Sequence, residues 1–392
     1  PAEARRRQAL GAFLPQIDGS ISASNQTRNL AAFGFNFPTG LPFTIPSFVG
    51  PFTVVDYRAT ATQSILDLSS IRRYQAAKLQ KEVASAEVLN SNELVVQQVA
   101  RTYVMALKAE AALDTAKANV NLAERLVKLA ESQKRAGTGT GIEVTRSRVQ
   151  LQNEKQRQLV AENDLERANL ELKRATGIEL AQPLQLTDRM NDGTEPAPAV
   201  EQAIESALAT RPDLLAQQKR EGSVQLTVRS IQAERLPSLA ASGDYGAIGD
   251  GLTQLPTRSI GIGVRVPIFD GGRREARRAE AGVQLRQEHL RLEDLKRQVE
   301  LEVRLSLNTL KSSRSQIETA KLGLELAENE LAQAQRRTEA GVANSVELTD
   351  AQTRLARARD NTLSALYLFN LARIDVAAAT GTMEQAVKGM IR

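Results

Sequence analysis

The sequence predicts a mostly α protein with a small β part, built as a duplicated strand–strand–long helix–short helix unit. Three observations carry this prediction. First, the chain repeats itself: Thr115-Ala116-Lys117 returns as Thr319-Ala320-Lys321, Leu122-Ala123-Glu124 as Leu326-Ala327-Glu328, and Ala136-Gly137 as Ala340-Gly341. Glu143-x-Thr145 returns as Glu347-x-Thr349 and Ala175-Thr176-Gly177 as Ala379-Thr380-Gly381, each pair 204 positions apart, which marks a duplicated structural unit. Second, charged residues make up 25% of the chain and aromatics 4%, with no Trp, the makeup of extended helices rather than compact cores. Third, four short segments alternate apolar and polar residues with period two.

Composition also excludes whole classes of function. The chain has no Cys, so disulfides, a thiol nucleophile and cysteine metal sites are all ruled out. Its 51 basic and 46 acidic residues are interleaved, which describes solvated helix faces and not a nucleic-acid footprint. No run of 18 apolar residues occurs, so no membrane-spanning helix is expected.

The alternating segments open each copy. Ile17, Gly19, Ile21 and Ala23 alternate with polar neighbours, and so do Val55, Tyr57, Ala59 and Ala61. In the second copy the apolar sets are Leu239, Ala241, Gly243 and Tyr245, then Ile260, Ile262, Val264, Val266 and Ile268. About ten such residues suffice for a tilted membrane strand. A soluble antiparallel hairpin shows the same period, but four such strands in a helical chain have no core of their own to bury in. Between the strands, Leu30 to Phe52 is rich in Phe, Pro and Gly, and Gly246 to Arg258 is more polar; both are expected as irregular loops.

Each copy continues as a proline-free helix of about 65 residues, roughly 100 Å long. Its heptads run through Val99, Ala106, Leu113, Val120 and Val127, with Thr102, Ala109, Ala116, Ala123 and Ala130 between them. In the second copy they run through Val303, Leu310, Ile317, Leu324 and Leu331, with Ser306, Ser313, Ala320, Ala327 and Ala334 between. Large and small residues alternating at this spacing form a coiled-coil seam. A second stripe (Leu122, Leu126, Leu129; Leu322, Leu326) lies off the seam, so each helix is expected to touch two neighbours.

A tight reversal follows at Gly137-Thr138-Gly139-Thr140-Gly141 and at Gly341-Val342-Ala343-Asn344-Ser345. Thr140-x-x-Glu143 and Asn344-x-x-Glu347 then read as capping boxes that start a shorter helix. That helix keeps its own heptads (Leu348, Leu355, Thr362, Phe369, Val376; Ala351, Ala358, Ala365, Ala372, Ala379) and stops at Gly177 or Gly381. The organisation expected is a first repeat over 1–177, with strands near 14–25 and 52–63 and helices near 68–135 and 141–175. A Pro/Asp/Asn-rich connector covers 178–199. The second repeat covers 200–392, with strands near 237–246 and 258–269 and helices near 272–340 and 345–380.

This order, done twice, resembles the TolC family of outer-membrane efflux proteins. The matching residues are Leu236-Pro237-Ser238-Leu239, Val266-Pro267-Ile268-Phe269-Asp270-Gly271-Gly272-Arg273, and Glu339-Ala340-Gly341 followed by Val346-Glu347-Leu348-Thr349-Asp350-Ala351-Gln352. Leu14-Pro15 corresponds to Leu236-Pro237, so the counterpart of Val200 to Gly222 is missing and Pro1 is expected to be a truncation point. The resemblance implies a homotrimer whose strands form a twelve-stranded barrel in outer-membrane lipid, continued by a coiled-coil helical tunnel into the periplasm. It also implies a periplasmic adaptor and an inner-membrane transporter as partners, and no cofactor.

No catalytic constellation or metal site is evident. His289, the only histidine, lies among Arg286, Glu288, Arg291 and Glu293 and is expected at the solvated surface. Gly137 to Gly141 lacks the preceding strand and following Lys-Ser/Thr of a phosphate loop and reads as a hairpin tip. The resemblance implies a periplasmic gate at Glu347 and Asp350, which share a helical face, so that three copies place six carboxylates around an axis. Glu347 has a competing role as a capping residue, whereas Asp350 has none, and the first copy carries Arg146 in its place. The resemblance also implies adaptor docking at the two tips, Arg135, Ala136, Gly137 and Thr138 with Glu339, Ala340, Gly341 and Val342; turn chemistry alone is the alternative for the glycines.

The function expected is a passive exit duct of a tripartite efflux or type I secretion system, not an enzyme. A periplasmic adaptor also has long helical hairpins, but it predicts one hairpin with equal arms inside a split β-domain. A soluble coiled-coil scaffold leaves the alternating segments and the Phe/Pro loop unexplained.

Overall fold

The computed structural model describes residues 1–34, 48–193, 198–340, 342, 345–384 and 386. In chain order the elements are α1 (Ala2–Gly11), β1 (Gln16–Asn29), a 3-10 turn (Leu30–Phe33), β2 (Phe48–Leu66), α2 (Leu68–Arg135) and α3 (Gly141–Thr176). They continue as α4 (Val200–Thr210), α5 (Pro212–Ala233), β3 (Ser238–Gly249), β4 (Gln254–Arg265), α6 (Arg273–Glu339) and α7 (Ser345–Thr380). The protein is mostly helical, with one small antiparallel sheet. It divides into two compact units, Pro1–Ser85 with Ala216–Leu292, and Ala86–Leu215 with Glu293–Arg392. These units cut across the sequence repeats, because each long helix contributes to both.

In the first unit the four strands form a single sheet in the order β1-β2-β3-β4, every neighbouring pair antiparallel. The strand ends differ from the sequence expectation in a consistent way. Phe48–Phe52 is strand rather than loop, with Pro51 inside it, opposite a register shift between Gln26 and Arg28. The bulge accommodates a residue that has no N–H to donate. The remainder of the expected loop, residues 35–47, lies outside the described residues. Between β3 and β4 the expected thirteen-residue loop shrinks to Asp250–Thr253, and Pro256 sits in β4 opposite Ala247. As an edge strand, β4 tolerates the missing donor. At its other end β4 stops at Arg265, short of the expected 269, where Pro267 interrupts the ladder.

Below the sheet, α5 packs on the first turns of α2. Ser223 Oγ donates to the Ala76 carbonyl at 3.1 Å, and a Cβ at Gly222 would lie 3.3 Å from Leu79 Cδ1, so a small residue sets this approach. Val83 is fully buried, and Lys219 pairs with Glu82 at the rim of the contact.

The second unit is built on the heptad seams. Ala106, Leu113, Ala116, Val120, Ala123, Val127 and Ala130 of α2 are buried, as are Val303, Ser306, Ser313, Ile317, Ala327, Leu331 and Ala334 of α6. Ser306 and Ser313 return their hydroxyls to the carbonyls of Val303 and Leu310 on their own helix, at 3.0 and 2.9 Å. They therefore pack as small spacers with no polar group left over. Leu122 and Leu126 of α2 join Ala327, Leu331 and Ala334 of α6 and Leu348, Ala351 and Leu355 of α7 in one cluster.

The connector is stapled to this unit. Tyr103 donates to Asp188 at 2.6 Å; burial and then this carboxylate push the phenol up to about 12, so it stays protonated as a donor. Asn370 Nδ2 donates to the Asn191 carbonyl at 3.0 Å. At the α4–α5 junction, Arg211 donates to Asp213, to Glu302 and to the Ala379 carbonyl, while Thr210 donates to the Thr380 carbonyl. Gly381 has a φ of 68° there, and a Cβ on it would meet Arg211 Cγ at 3.1 Å.

Candidate functional site

The sheet has two chemically opposite faces, because strand register places like with like. One row runs Ile17–Ala61–Gly243–Ile260, and the next but one Gly19–Ala59–Tyr245–Arg258. The row between them runs Asp18–Thr60–Asp244–Ser259, on the opposite face. Among the described residues nothing covers the apolar face: Ile260 is 92% and Ile262 72% exposed. The polar face carries its own network, in which Arg58 donates to Asp56 and Asp244, and Asp244 also accepts from Ser259. Among the described residues, β1 and β4 each have a neighbour on one side only. A sheet this apolar on one side and unpaired at both edges is not a stable object in water.

The helical reversals hold the predicted tip residues. The α2 helix ends with Ala136 N–H donating to the Ser132 carbonyl at 3.0 Å, after which Gly137 turns left-handed at a φ of 74°. Thr138 and Gly139 both donate their backbone N–H to the Gln133 carbonyl at 3.0 Å. Thr140 and Glu143 make a full capping box, the Thr140 N–H donating to Glu143 Oε2 at 2.7 Å. Arg135, Ala136, Gly137 and Thr138 are all exposed. In the second reversal Glu339, Ala340 and Val342 are exposed, and Val342 N–H donates to the Arg337 carbonyl at 3.0 Å. Gly341, and the capping box expected from Asn344, lie outside the described residues.

The two reversals are joined directly. Gln133 Nε2 donates to the Thr338 carbonyl at 3.0 Å, beside a cleft of about 240 Å³ lined by Thr138, Glu339 and Ala340 among others. No sequence motif marks this bridge. Nor does one show that Glu347 pairs with Arg337 at 2.9 Å across the hairpin. Three residues on, Asp350 is exposed and makes no ion pair among the described residues. His289 is exposed, with Nδ1 3.0 Å from Glu221 Oε1.

The class that the long helical hairpins and the exposed apolar sheet define is a membrane channel. The chain belongs to the outer membrane efflux protein family, whose family model matches residues 1–178 and 203–382. It is 22% identical over 331 residues to the alkaline protease secretion protein AprF of Pseudomonas aeruginosa, covering 83% of this chain and 69% of that one. It is also 22% identical over 393 residues to the outer membrane efflux protein BepC of Brucella suis, covering 96% and 78%. Among solved structures, the outer membrane protein VceC of Vibrio cholerae shares the fold with a TM-score of 0.78 at 17% identity, covering 97% of this chain and 90% of that one. The protein is an outer-membrane efflux channel that extends into the periplasm.

Proposed function

We propose that three copies of this chain close a twelve-stranded barrel and a helical tunnel, forming the passive exit duct of a tripartite export system. The observation that carries this reading is the four-stranded sheet with one apolar face and two open edges. Closure by sister chains satisfies the edges, turns the apolar face to lipid and encloses the Arg58–Asp244 face in water. A second observation supports it. Leu322 and Leu326 on α6 are 57% and 60% exposed, although Leu122, the counterpart of Leu326, is buried. The same sequence position thus finds its partner inside the chain in one repeat and requires a sister chain in the other.

In this reading energy comes from an inner-membrane transporter, and a periplasmic adaptor docks on the two tips. Arg135, Ala136, Gly137 and Thr138 with Glu339, Ala340, Gly341 and Val342 form that surface. The gate is Asp350 with Glu347. Asp350 has no cationic partner among the described residues, so three copies around an axis repel one another and attract multivalent cations. Glu347, tied to Arg337, contributes less. The test is planar-bilayer conductance. The Glu347→Ala/Asp350→Ala double variant should conduct more than the wild type and be blocked less by multivalent cations. Unchanged current and unchanged block would remove the gate.

A further inference from the structure

The chain's positive charge is concentrated where its backbone enters and leaves the sheet. Residues 1–14, 66–82, 225–238 and 265–280 hold twelve Arg and two Lys against seven Asp and Glu, whereas the whole chain is only +5. These four segments therefore carry +7, and everything else is net negative.

Four of the seven local acids are already paired with these basic residues. Glu3 accepts from Arg6 at 2.7 Å and Arg7 at 3.4 Å, and pairs with Lys81 at 3.0 Å. Hydrogen bonds from Arg6 and then Lys81 pull its carboxyl down to about 2. Glu234 serves Arg73 and Arg277, Glu275 serves Arg235 and Arg278, and Asp270 holds Arg274. Arg5, Arg229 and Arg265 have no acidic partner among the described residues, and Arg273 reaches only the Asp270 carbonyl. Each of these four carboxylates is engaged, and positive charge remains.

The same segments expose apolar anchors. Ile268 is 92% and Phe269 86% exposed, and Leu14, Ile65, Leu66 and Leu236 are each about half exposed or more. They flank the strand ends on the helical side of the sheet, the place where aromatic and aliphatic side chains sit at a membrane–water interface and arginines reach toward headgroups. Another copy of this chain would bring the same positive charge and could not neutralise it. An anionic headgroup layer can, and it lies where the lipid-facing sheet ends.

We infer that these arginines form a binding surface for the anionic phospholipid headgroups of the periplasmic leaflet, holding the channel at a fixed depth. The inference rests on the membrane reading of the sheet. The experiment separates the two by electron paramagnetic resonance of the purified protein in phosphatidylcholine vesicles, with trace spin-labelled phosphatidylcholine or phosphatidylglycerol. Expected is a motionally restricted phosphatidylcholine component, which reports embedding, and a roughly fivefold higher association of phosphatidylglycerol at low salt, lost near 1 M salt. The variant Arg5→Gln/Arg7→Gln/Arg273→Gln/Arg278→Gln leaves the close pairs of Arg6, Arg274 and Arg277 intact. It should reduce the preference to under about twofold. A restricted component with no preference for phosphatidylglycerol in the wild type overturns the inference alone, as does a preference untouched by both salt and the variant. No restricted component for either lipid overturns the membrane reading itself.

Discussion

Replacing Ile262 by Arg places a charge on the face of the sheet assigned to lipid. Ile262 stands midway along the apolar row of β4, between Ile260 and Val264, opposite Ala241. Ile262 is 72% exposed and no described residue covers it, so in water an Arg there would cost close to nothing. At a bilayer midplane an outward Arg in a barrel costs about 2–4 kcal/mol, or roughly 6–12 kcal/mol over three copies. Per chain that is roughly a 30- to 900-fold loss in the folding equilibrium. One residue away, Gly261 lies on the opposite face, and a Cβ there meets no atom within 4 Å. Gly261→Arg should therefore stay within about 0.5 kcal/mol of wild type, as a surface change does. Urea unfolding of each variant in lipid vesicles, followed by gel mobility of unheated samples, measures the difference. Equal costs for the two substitutions, or a harmless Ile262→Arg, would show that the two faces see the same solvent and would refute the assignment.

The remaining expectations are narrower. Leu355 is 2% exposed within the α2–α6–α7 cluster, so Leu355→Ala should lose about 2–5 kcal/mol of unfolding free energy. Burial by itself would raise the Asp213 carboxyl, but its bonds to Arg211 more than offset this and hold it below the ordinary carboxylate range. A depressed folded value means that this contribution is present above about pH 4 and is lost as pH falls through the folded value. The Asp213→Asn variant should accordingly lose stability at neutral pH and show a shallower decline as the pH falls below about 4; identical acid-unfolding curves would count against the Arg211–Asp213 pair. Cysteines at Thr138 or Val342 should cross-link to a co-expressed periplasmic adaptor, and no adduct at either site would argue against docking at the tips.

Much of the helical part could be read from residues alone, because duplication and heptads leave a dense periodic record. The seam residues Ala106, Ala123, Val303 and Ile317 are buried, each below one tenth exposed. Elements without such a record went unassigned. Neither heptads nor duplication mark the bounds of α1, α4 and α5, which run only 10, 11 and 22 residues and are held by tertiary contacts such as Ser223 with Ala76. Prolines misplaced the strand ends, since Pro51 and Pro256 are read locally as breakers but sit at a bulge and on an edge strand. The bonds of Arg211 leave no local signature, because its partners Glu302 and Ala379 are 91 and 168 residues away. At the tips, the carboxylate pair was visible but the Arg337–Glu347 bond was not, as it depends on how closely the reversal brings two helices together.

The account stands or falls on whether sister chains close the sheet. The 392 residues contain no cysteine, so one placed on β1 (Ser20, Ser22 or Ser24) and one on β4 (Ser259, Gly261 or Gly263) report on each other. Within a chain these strands are separated by two others, about 14 Å across, too far for a disulfide. Oxidation in the outer membrane should give, for at least one pairing, a cross-linked ladder that ends at three chains. A chain that stays monomeric at every pairing, or a ladder that continues past three, would contradict it.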